Sequence, residues 1–339
     1  MQTFLKSSAP HNIKEAAALL LQDEVVAIPT ETVYGLAASA LSDTAVRKIF
    51  AAKGRPQDNP LISHIASLEM LPMVASHVPQ SAYALADAFW PGPLTMVLPR
   101  SEQVADSVCA GLATAAVRMP CHPVALAVIN ACGVPLAAPS ANLSGSPSPT
   151  TAADVYADMN GKIPLILDGG ACTVGVESTV ISLVGETPVL LRPGYITKEE
   201  LEQVLGTPVL LSSAILHKLK EGEVANSPGM KYKHYAPKAN VVLLQGDFAA
   251  YQKYVAAHCT ADTMCLCFVG EEAQLPCPAI AYGAEHDSAT QAQHLFSALR
   301  ALDANGAKTA YARCPQQTGV GMAVYNRLLR AAAFQVIAL

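Results

Sequence analysis

Two cationic side chains, Lys53 and Arg55, lie in a short loop whose composition suits the binding of phosphate groups. The loop runs on to Leu61, and glycine and proline residues give it a defined shape. A lysine ammonium is a compact charge and an arginine guanidinium a planar fork, so the two can hold different oxygens of one polyphosphate. A simpler explanation stays open, because residues 43–52 read as a helix whose C-terminus cations stabilise by roughly 0.3–1 kcal/mol.

Hydroxyl and amide side chains form two further pairs, each just after a predicted strand: Thr30 with Thr32, and Ser140 with Asn142. Residues two apart on an extended chain point the same way, so each pair can face one site. Open α/β sheets bind ligands at strand ends. Ordinary turn chemistry explains any single pair equally well, since these side chains also satisfy the backbone of loops.

Two arginines, Arg118 and Arg192, each end an apolar strand before a turn that contains proline. A structural arginine at such a place normally pairs with a carboxylate, and the sequence around Arg118 offers none. The chain contains no Gly-x-x-x-x-Gly-Lys-Ser/Thr loop, no Gly-x-Ser-x-Gly elbow and no paired-histidine metal motif. These residues favour an enzyme that binds a nucleotide and positions its reactants without a covalent nucleophile.

The sequence pattern predicts strands that alternate with helices, and these elements must position the side chains. The pattern is typical of a mixed α/β domain, which ends near residue 206. Asn12 and Glu15 resemble a capping box that opens a first helix at 12–22, and Thr197 and Glu200 resemble another. Strands are predicted at 25–28, 61–65, 94–98, 115–118, 136–138, 165–167, 180–183 and 189–191, the last two forming a hairpin. Further helices are predicted at 43–52, 80–90, 122–132, 151–159 and 198–205.

The length of 339 residues exceeds the usual size of a single core, so two domains are expected. We predict a catalytic domain over 1–206, a linker over 207–238 and a small, mostly parallel, Rossmann-like domain over 239–339. In this last domain the predicted strands are 240–245, 263–269, 279–283 and 309–313, and the predicted helices are 247–258, 288–304 and 320–333. The linker combines Pro, Gly, Tyr, Lys and His over 227–237, a composition typical of a segment that touches something.

Composition narrows the functional classes. Hydrophobic residues make up 51% of the chain and charged residues 14%, which argues against disorder. The uncharged stretch 119–153 contains too many prolines for a membrane-spanning helix, and residues 1–10 do not resemble a secretory signal. Nine scattered cysteines with no familiar metal spacing favour a cytoplasmic protein without a metal bound by its own side chains. A net charge of −5 argues against wholesale coating of nucleic acid, although a local basic patch is compatible with contact to RNA.

Several motifs in order resemble those of the YrdC-type threonylcarbamoyl-AMP synthases. They are PTETVYGL at 29–36, KGRP at 53–56 followed by NPLI at 59–62 and His64, WPGPLT at 90–95, VRMP at 117–120, and APSANLSG at 138–145. Together with STV at 178–180, RPG at 192–194 and the linker, the resemblance covers about residues 10–238. The remaining domain fits the longer, two-domain branch of that family.

The resemblance implies that L-threonine, bicarbonate and ATP are joined into L-threonylcarbamoyladenylate, with release of pyrophosphate. The product would pass to a downstream threonylcarbamoyl transferase, which modifies the tRNA adenosine beside the anticodon. The resemblance also implies Mg²⁺, carried by the ATP phosphates rather than by protein ligands. No membrane partner is expected.

The same resemblance implies which residues bind each substrate. ATP would contact Lys53, Arg55, Asn59, Thr114, Asn142, Thr150 and Arg192, with His234 and Tyr235 from a linker that folds over the nucleotide. L-threonine would contact Thr32, His64, Arg118, Ser140 and Ser178. The residues expected to act in catalysis are Lys53, Arg55, Ser140 and Asn142. A structural role for His64 stays open.

Two other functions stay open. The first is an RNA-binding maturation factor without catalysis, because Arg47 and Lys48 extend the cationic cluster of the loop. Against it stand the negative net charge and an aromatic content of only 6%, which leaves few platforms for base stacking. The second is a carbamoylation that uses carbamoyl phosphate instead of threonine.

Overall fold

The computed structural model describes residues 1–217 and 235–339, whose strands form two separate sheets. The first sheet has eleven strands and the second has five. This division agrees with the predicted combination of a mixed sheet and a smaller parallel one. Among the described helices, none has both the length and the apolar character needed to cross a bilayer.

The first sheet is mixed, with the strand order β1-β8-β2-β3-β7-β4-β6-β5-β9-β10-β11. Its strands are β1 (Phe4–Ser7), β2 (Val26–Ile28), β3 (Gly35–Ser39), β4 (Ile62–His64), β5 (Leu94–Pro99), β6 (Thr114–Arg118), β7 (Leu136–Ala137), β8 (Leu165–Asp168), β9 (Thr179–Ser182), β10 (Val189–Arg192) and β11 (Leu210–Leu211). The predicted strands are all present, and the predicted hairpin is confirmed by the antiparallel pairing of β9 with β10. The short strands β1, β3 and β11 were not predicted.

Helices cover both faces of this sheet. They are α1 (Pro10–Leu21), α2 (Asp43–Lys53), α3 (Leu71–Val74), α4 (Gln80–Phe89), α5 (Asp106–Cys109), α6 (Pro123–Cys132), α7 (Ala152–Met159) and α8 (Lys198–Leu205). Successive residues of β2 alternate between the faces, so Ala27 packs with the cluster of α2 and α4 while Val26 and Ile28 pack with α1 and α6.

The predicted start of the first helix is wrong. The helix begins at Pro10, whose fixed φ suits the first turn, and no side chain caps it. Asn12 lies inside the helix and donates its amide to the Ser7 carbonyl oxygen at 2.9 Å. The predicted capping box of Thr197 and Glu200 is confirmed at the start of α8.

The second sheet is parallel throughout, with the order β14-β13-β15-β12-β16. Its strands are β12 (Asn240–Gln245), β13 (Thr263–Cys267), β14 (Ala279–Ala281), β15 (Thr309–Arg313) and β16 (Val336–Ala338). Its helices are α9 (Phe248–His258), α10 (Ser288–Ala304) and α11 (Val320–Ala331). The predicted parallel arrangement is confirmed, and β16 is an additional strand.

The two sheets are joined by extensive packing. The first sheet continues past residue 206, because β11 pairs with β10 and Ile215 is buried in the first core. In the other direction, Val33 and Val176 of the first domain pack into the core of the second. The site described below lies close to this contact.

Candidate functional site

A cavity lies where strands β4, β6 and β10 end and where the loops after β2 and β7 begin. The polar side chains that line it are those of Thr30, Thr32, Arg55, His64, Arg118, Ser140, Glu177, Ser178, Arg192 and Tyr235. The sheet register brings the ends of β4 and β6 together, because His64 is paired directly with Arg118. Residues far apart in sequence therefore converge on one edge of the sheet, as expected for an α/β ligand site.

Arg118 is 3% exposed, and its guanidinium is held from three sides. Nη2 donates to Oε1 of Glu31 at 2.5 Å, Nη1 donates to Oγ1 of Thr32 at 2.9 Å, and Nε donates to the Gly92 carbonyl oxygen at 3.2 Å. The carboxylate that the neighbouring sequence lacks is thus supplied by Glu31, from the loop after β2. Burial alone would raise the pKa of Glu31, but the charge and hydrogen bond of Arg118 outweigh it and hold that pKa below its usual value.

His64 is a neutral side chain of the cavity wall. Burial lowers its pKa to about 3, and the Arg118 charge acts in the same direction. Nδ1 lies 3.1 Å from the Ile62 carbonyl oxygen, which can only accept; in the tautomer that makes this hydrogen bond, Nδ1 carries the proton and Nε2 keeps its lone pair. His64 can therefore accept a hydrogen bond from a ligand without adding positive charge.

Lys53 is the last residue of α2 and lies beneath the cavity rather than in its lining. Its ammonium donates to the carbonyl oxygens of Ser140 and Asn142, the latter at 2.6 Å, and approaches Oδ1 of Asn142 at 3.4 Å. Burial, followed by the nearby Arg55 charge, lowers the pKa of Lys53 well below its usual value. Lys53 thus fixes the loop that presents the Ser140 hydroxyl, and the helix-end explanation from the sequence also holds.

The loop after Lys53 presents polar groups that suit a ligand. The guanidinium of Arg55 lines the cavity and donates to the carbonyl oxygens of Asn59 and Pro60. Asn59 is only 1% exposed, and within the described ranges neither polar atom of its side chain has a hydrogen-bond partner. Because buried polar groups in proteins are normally paired, the Asn59 amide is a candidate for contact with a bound molecule.

Ser178 and Arg192 form the opposite wall. Arg192 donates through Nε to the Ser178 carbonyl oxygen at 3.0 Å and through Nη2 to the Ser178 hydroxyl at 3.1 Å. That hydroxyl also lies 2.8 Å from Oγ1 of Thr95. Burial lowers the pKa of Arg192 to about 10, so the side chain remains a cation at neutral pH.

Some predicted site residues lie away from the cavity. Thr114 begins β6, at the end of the strand opposite Arg118, and does not belong to the described lining. Asn142 and Thr150 are buried behind the lining residues. Tyr235 is buried and lines the cavity, whereas His234 and the linker residues 218–234 lie outside the described residues. The assignments of these residues to ATP stay predictions.

Sequence reasoning missed several groups at the cavity. Glu31, the carbonyl of Gly92 and Glu177 each contact a lining residue or line the cavity themselves. The sequence does single out Glu31, because it is the one carboxylate in a loop rich in hydroxyl side chains. A carboxylate at the edge of a predicted anion site is most simply explained as the partner that orients one of its arginines.

The cations outnumber the carboxylates around this cavity, with Lys53, Arg55, Arg118 and Arg192 near Glu31 and Glu177. In the part of the chain that the structure describes, no group of three or more His, Cys, Asp and Glu side chains can hold a metal ion. Fold and site together define a two-domain α/β protein with a cleft at its strand ends in which cationic side chains outnumber carboxylates.

Two family models match consecutive parts of the chain. The model described as Sua5, YciO and YrdC, telomere recombination, matches residues 18–194, and the model described as threonylcarbamoyl-AMP synthase, C-terminal domain, matches residues 196–333. The chain belongs to the Sua5/YciO/YrdC family of threonylcarbamoyl-AMP synthases, in its two-domain form. This confirms the resemblance drawn from the sequence motifs.

Similar proteins extend over nearly the whole chain. A threonylcarbamoyl-AMP synthase of Pyrococcus abyssi is 44% identical over 332 residues, which covers 96% of this chain and 95% of the relative. A threonylcarbamoyl-AMP synthase of Bacillus subtilis is 45% identical over 334 residues, which covers 96% and 94%. The crystal structure of P. abyssi Sua5 complexed with L-threonine has a TM-score of 0.92 at 42% identity and covers 100% of this chain and 99% of that chain.

Proposed function

We propose that this protein is an L-threonylcarbamoyladenylate synthase, which joins L-threonine, bicarbonate and ATP and releases pyrophosphate. The observation that carries this proposal is the cavity itself, which Arg55, Arg118 and Arg192 line together with several hydroxyl groups. The names of the relatives that match nearly full length support the same reaction. The Sua5 structure that contains L-threonine supports threonine as a substrate.

Arg118 is the proposed anchor for the threonine carboxylate. Its contacts with Glu31, Thr32 and Gly92 fix the guanidinium plane but use only part of its five N–H donors, so a carboxylate can still be bound. The hydroxyls of Ser140 and Ser178, together with the neutral His64, would hydrogen-bond to the amine and the side chain. A threonine held this way is oriented for carbamate formation, in which the neutral amine attacks the carbon of bicarbonate, a bond from nitrogen to carbon forms, and one carbon–oxygen bond breaks with loss of water.

The chemical step unites two anions. The carbamate oxygen attacks the α-phosphorus of ATP, a bond from oxygen to phosphorus forms, the bond to the bridging oxygen breaks, and pyrophosphate leaves. Arg55 and Arg192 line the cavity and would offset the repulsion, while Lys53 holds the Ser140–Asn142 loop in place. Mg²⁺ is proposed to arrive on the ATP phosphates and to supply further charge neutralisation there.

The remaining ATP contacts are proposed from two buried side chains and from the resemblance. Among the described residues, no group hydrogen-bonds to the buried amide atoms of Asn59 near Arg55, and Tyr235 lines the cavity. We retain Thr114, Asn142, Thr150 and His234 as proposed nucleotide contacts by resemblance. The prediction that the linker covers the nucleotide falls on residues 218–234, outside the described residues, and stays a prediction.

The product is an activated acyl group that requires an acceptor. We propose that a separate threonylcarbamoyl transferase consumes it to modify tRNA, and that the reaction takes place in the cytoplasm. The nine cysteines, which are all free thiols, are consistent with a reducing compartment.

The proposal is tested by pyrophosphate release from ATP with threonine, bicarbonate and Mg²⁺, each omitted in turn. We expect release that requires threonine, bicarbonate and ATP together and that is lost in Arg55→Ala and Arg118→Ala. Pyrophosphate release that does not depend on threonine would favour the RNA-binding alternative. So would folded protein that releases no pyrophosphate and binds RNA in a salt-dependent way. Turnover that requires carbamoyl phosphate would favour the third function.

A further inference from the structure

Arg327 of α11 reaches from the second domain into the wall of the cavity in the first. Its side chain is 0% exposed, and its guanidinium crosses the contact between the domains. Nε donates to Oε2 of Glu177 at 3.0 Å, Nη2 donates to the Glu177 carbonyl oxygen at 3.2 Å, and Nη1 donates to the Pro193 carbonyl oxygen at 2.5 Å. One side chain thus holds two separate segments of the first domain.

These two segments carry side chains proposed to bind substrate. Glu177 precedes Ser178, Pro193 follows Arg192, and Arg192 itself donates to Ser178. The segments touch so closely that a Cβ on Gly194 would lie 2.2 Å from the Thr179 backbone nitrogen. We define this pair of segments, 177–179 and 192–194, as the clasped wall.

The clasped wall is also embedded in the second domain beside Arg327. Val176, just before Glu177, is buried in the core of the second domain. A Cβ on Gly175 would lie 2.4 Å from Cα of Gln293 in α10, so the backbone of this segment rests directly on that helix. The remaining oxygen of Glu177, Oε1, accepts from the Ser148 hydroxyl at 2.5 Å, so the carboxylate is fully engaged.

We propose that Arg327 is a positioning residue and that the second domain completes the substrate site by fixing the clasped wall. The inference rests on the proposed function, because it assigns a role to the wall that holds Ser178 and Arg192. A buried guanidinium with a carboxylate and a carbonyl as partners holds its neighbours in one geometry. Its removal leaves Glu177 buried without its cation and removes the tie of both segments to the second domain, while Arg192 still joins them to each other.

A second ion pair between the domains provides a matched control. Arg300 of α10 donates to the two carboxylate oxygens of Asp158 at 3.2 and 2.8 Å and to the Pro147 carbonyl oxygen at 2.6 Å. Arg300, Asp158 and Pro147 do not belong to the described lining of the cavity. Arg300 therefore shares with Arg327 the docking of the domains but not the contact with the clasped wall.

The test compares Arg327→Gln with Arg300→Gln in the full-length protein, by threonine-dependent pyrophosphate release and by thermal unfolding. We expect Arg327→Gln to raise the KM values for threonine and ATP by about tenfold or more, since small displacements of binding groups have large effects on rate. Arg300→Gln should lower the unfolding temperature and raise both KM values clearly less than Arg327→Gln does, because it reaches the site only through Asp158, which accepts from the Leu143 backbone nitrogen at 3.3 Å. The proposal would be overturned if the two variants had equal KM values, whether both equalled the wild-type values or both were raised to the same extent.

Two further variants separate an effect on the clasped wall from a failure to fold. If Arg327→Gln does not fold, Arg327→Lys takes its place, because lysine keeps the charge but lacks the planar fork that reaches both Glu177 and Pro193. The Arg327→Gln and Glu177→Gln double variant should have KM values no higher than the worse single variant, and fully additive effects would contradict a shared contact. A wild-type protein that releases no pyrophosphate with threonine would contradict the proposed function instead.

Discussion

Two buried arginines end strands in the two domains, and their surroundings differ in the balance of charge. Arg313 ends β15 in the second domain, is 2% exposed, and binds both Glu271 and Glu285 as well as the Gly246 carbonyl oxygen. Aromatic rings enclose it, the nearest being Phe268 with its centre 4.9 Å from the guanidinium carbon. Arg118 in the first domain has one carboxylate partner and faces a cavity.

This difference shows that a buried arginine at a strand end does not by itself indicate a ligand site. Two carboxylates pair with the single charge of Arg313, and aromatic rings pack around it. Its cluster is therefore a structural core of the second domain. Around Arg118 the cations exceed the carboxylates and hydroxyl groups remain open to the cavity. The excess of positive charge is what distinguishes the binding site from the structural cluster.

The largest effect on activity is expected from Arg118→Gln. The substitution removes the proposed anchor of the threonine carboxylate and leaves Glu31 buried without its cation. We expect kcat/KM for threonine to fall by roughly a thousandfold, as for the loss of a group that orients and stabilises the reacting charges. Steady-state pyrophosphate release measures this change. A folded variant whose kcat/KM for threonine stays within tenfold of the wild-type value would contradict the proposed difference between Arg118 and Arg313.

Arg313→Gln should affect stability instead. It leaves Glu271 uncompensated in the core of the second domain, at a cost of about 3–5 kcal/mol in the free energy of unfolding. Urea unfolding measures the loss, and KM for threonine should stay near the wild-type value at temperatures where the variant is folded. A large rise in that KM with little loss of stability would show that the two arginines are not different in kind.

The pH dependence of the free energy of unfolding tests whether His64 is buried and neutral in the cavity wall. His64 has a folded pKa of about 3, below the ordinary 6.5, so between these values the unfolded chain binds a proton that the folded chain does not. Its contribution is complete above pH 6.5 and is lost as pH falls toward 3, with a slope of about 1.4 kcal/mol per pH unit. His64→Gln should lose this part of the slope in urea unfolding measured across the window, and an unchanged slope would contradict a buried neutral His64.

The smallest of these effects is expected from Glu31→Gln. Glutamine can still accept from Arg118 but lacks the charge that orients the guanidinium, so the geometry is loosened rather than lost. We expect KM for threonine to rise by about tenfold with a smaller change in kcat. Kinetics at saturating ATP measure both values. An unchanged KM would mean that Thr32 and Gly92 orient Arg118 without the carboxylate.

Local periodicity allowed much of the fold to be predicted, and its failures have physical reasons. Strand β12 carries a continuous apolar run at 241–244, and both β12 and β15 were predicted at their observed positions. Strand β3 was missed because Gly35–Ser39 contains glycine and alanine rather than β-branched residues. Its small residues suit close packing, since a Cβ on Gly35 would lie 3.2 Å from Cβ of Ala138.

The site was predicted through its motifs, whereas its pairings depend on the fold. Residue type and position were enough to single out Arg118 and the Ser140–Asn142 pair. The contact of Arg118 with Glu31 joins residues 87 positions apart, and the contact of Arg327 with Glu177 joins residues 150 positions apart in different domains. Such pairings follow from strand order and domain packing, which local sequence patterns do not encode.

The most direct test of the central claim follows the carbon of radiolabelled bicarbonate into a nucleotide product. We expect label in a compound that contains both threonine and AMP, formed only when threonine and ATP are present. It also predicts the same product from Arg313→Gln under conditions where it is folded, and none from Arg118→Ala. Labelled nucleotide formed without threonine, or equal labelling by Arg118→Ala and the wild type, would contradict the assignment of the cavity in the first domain as the site of adenylate synthesis.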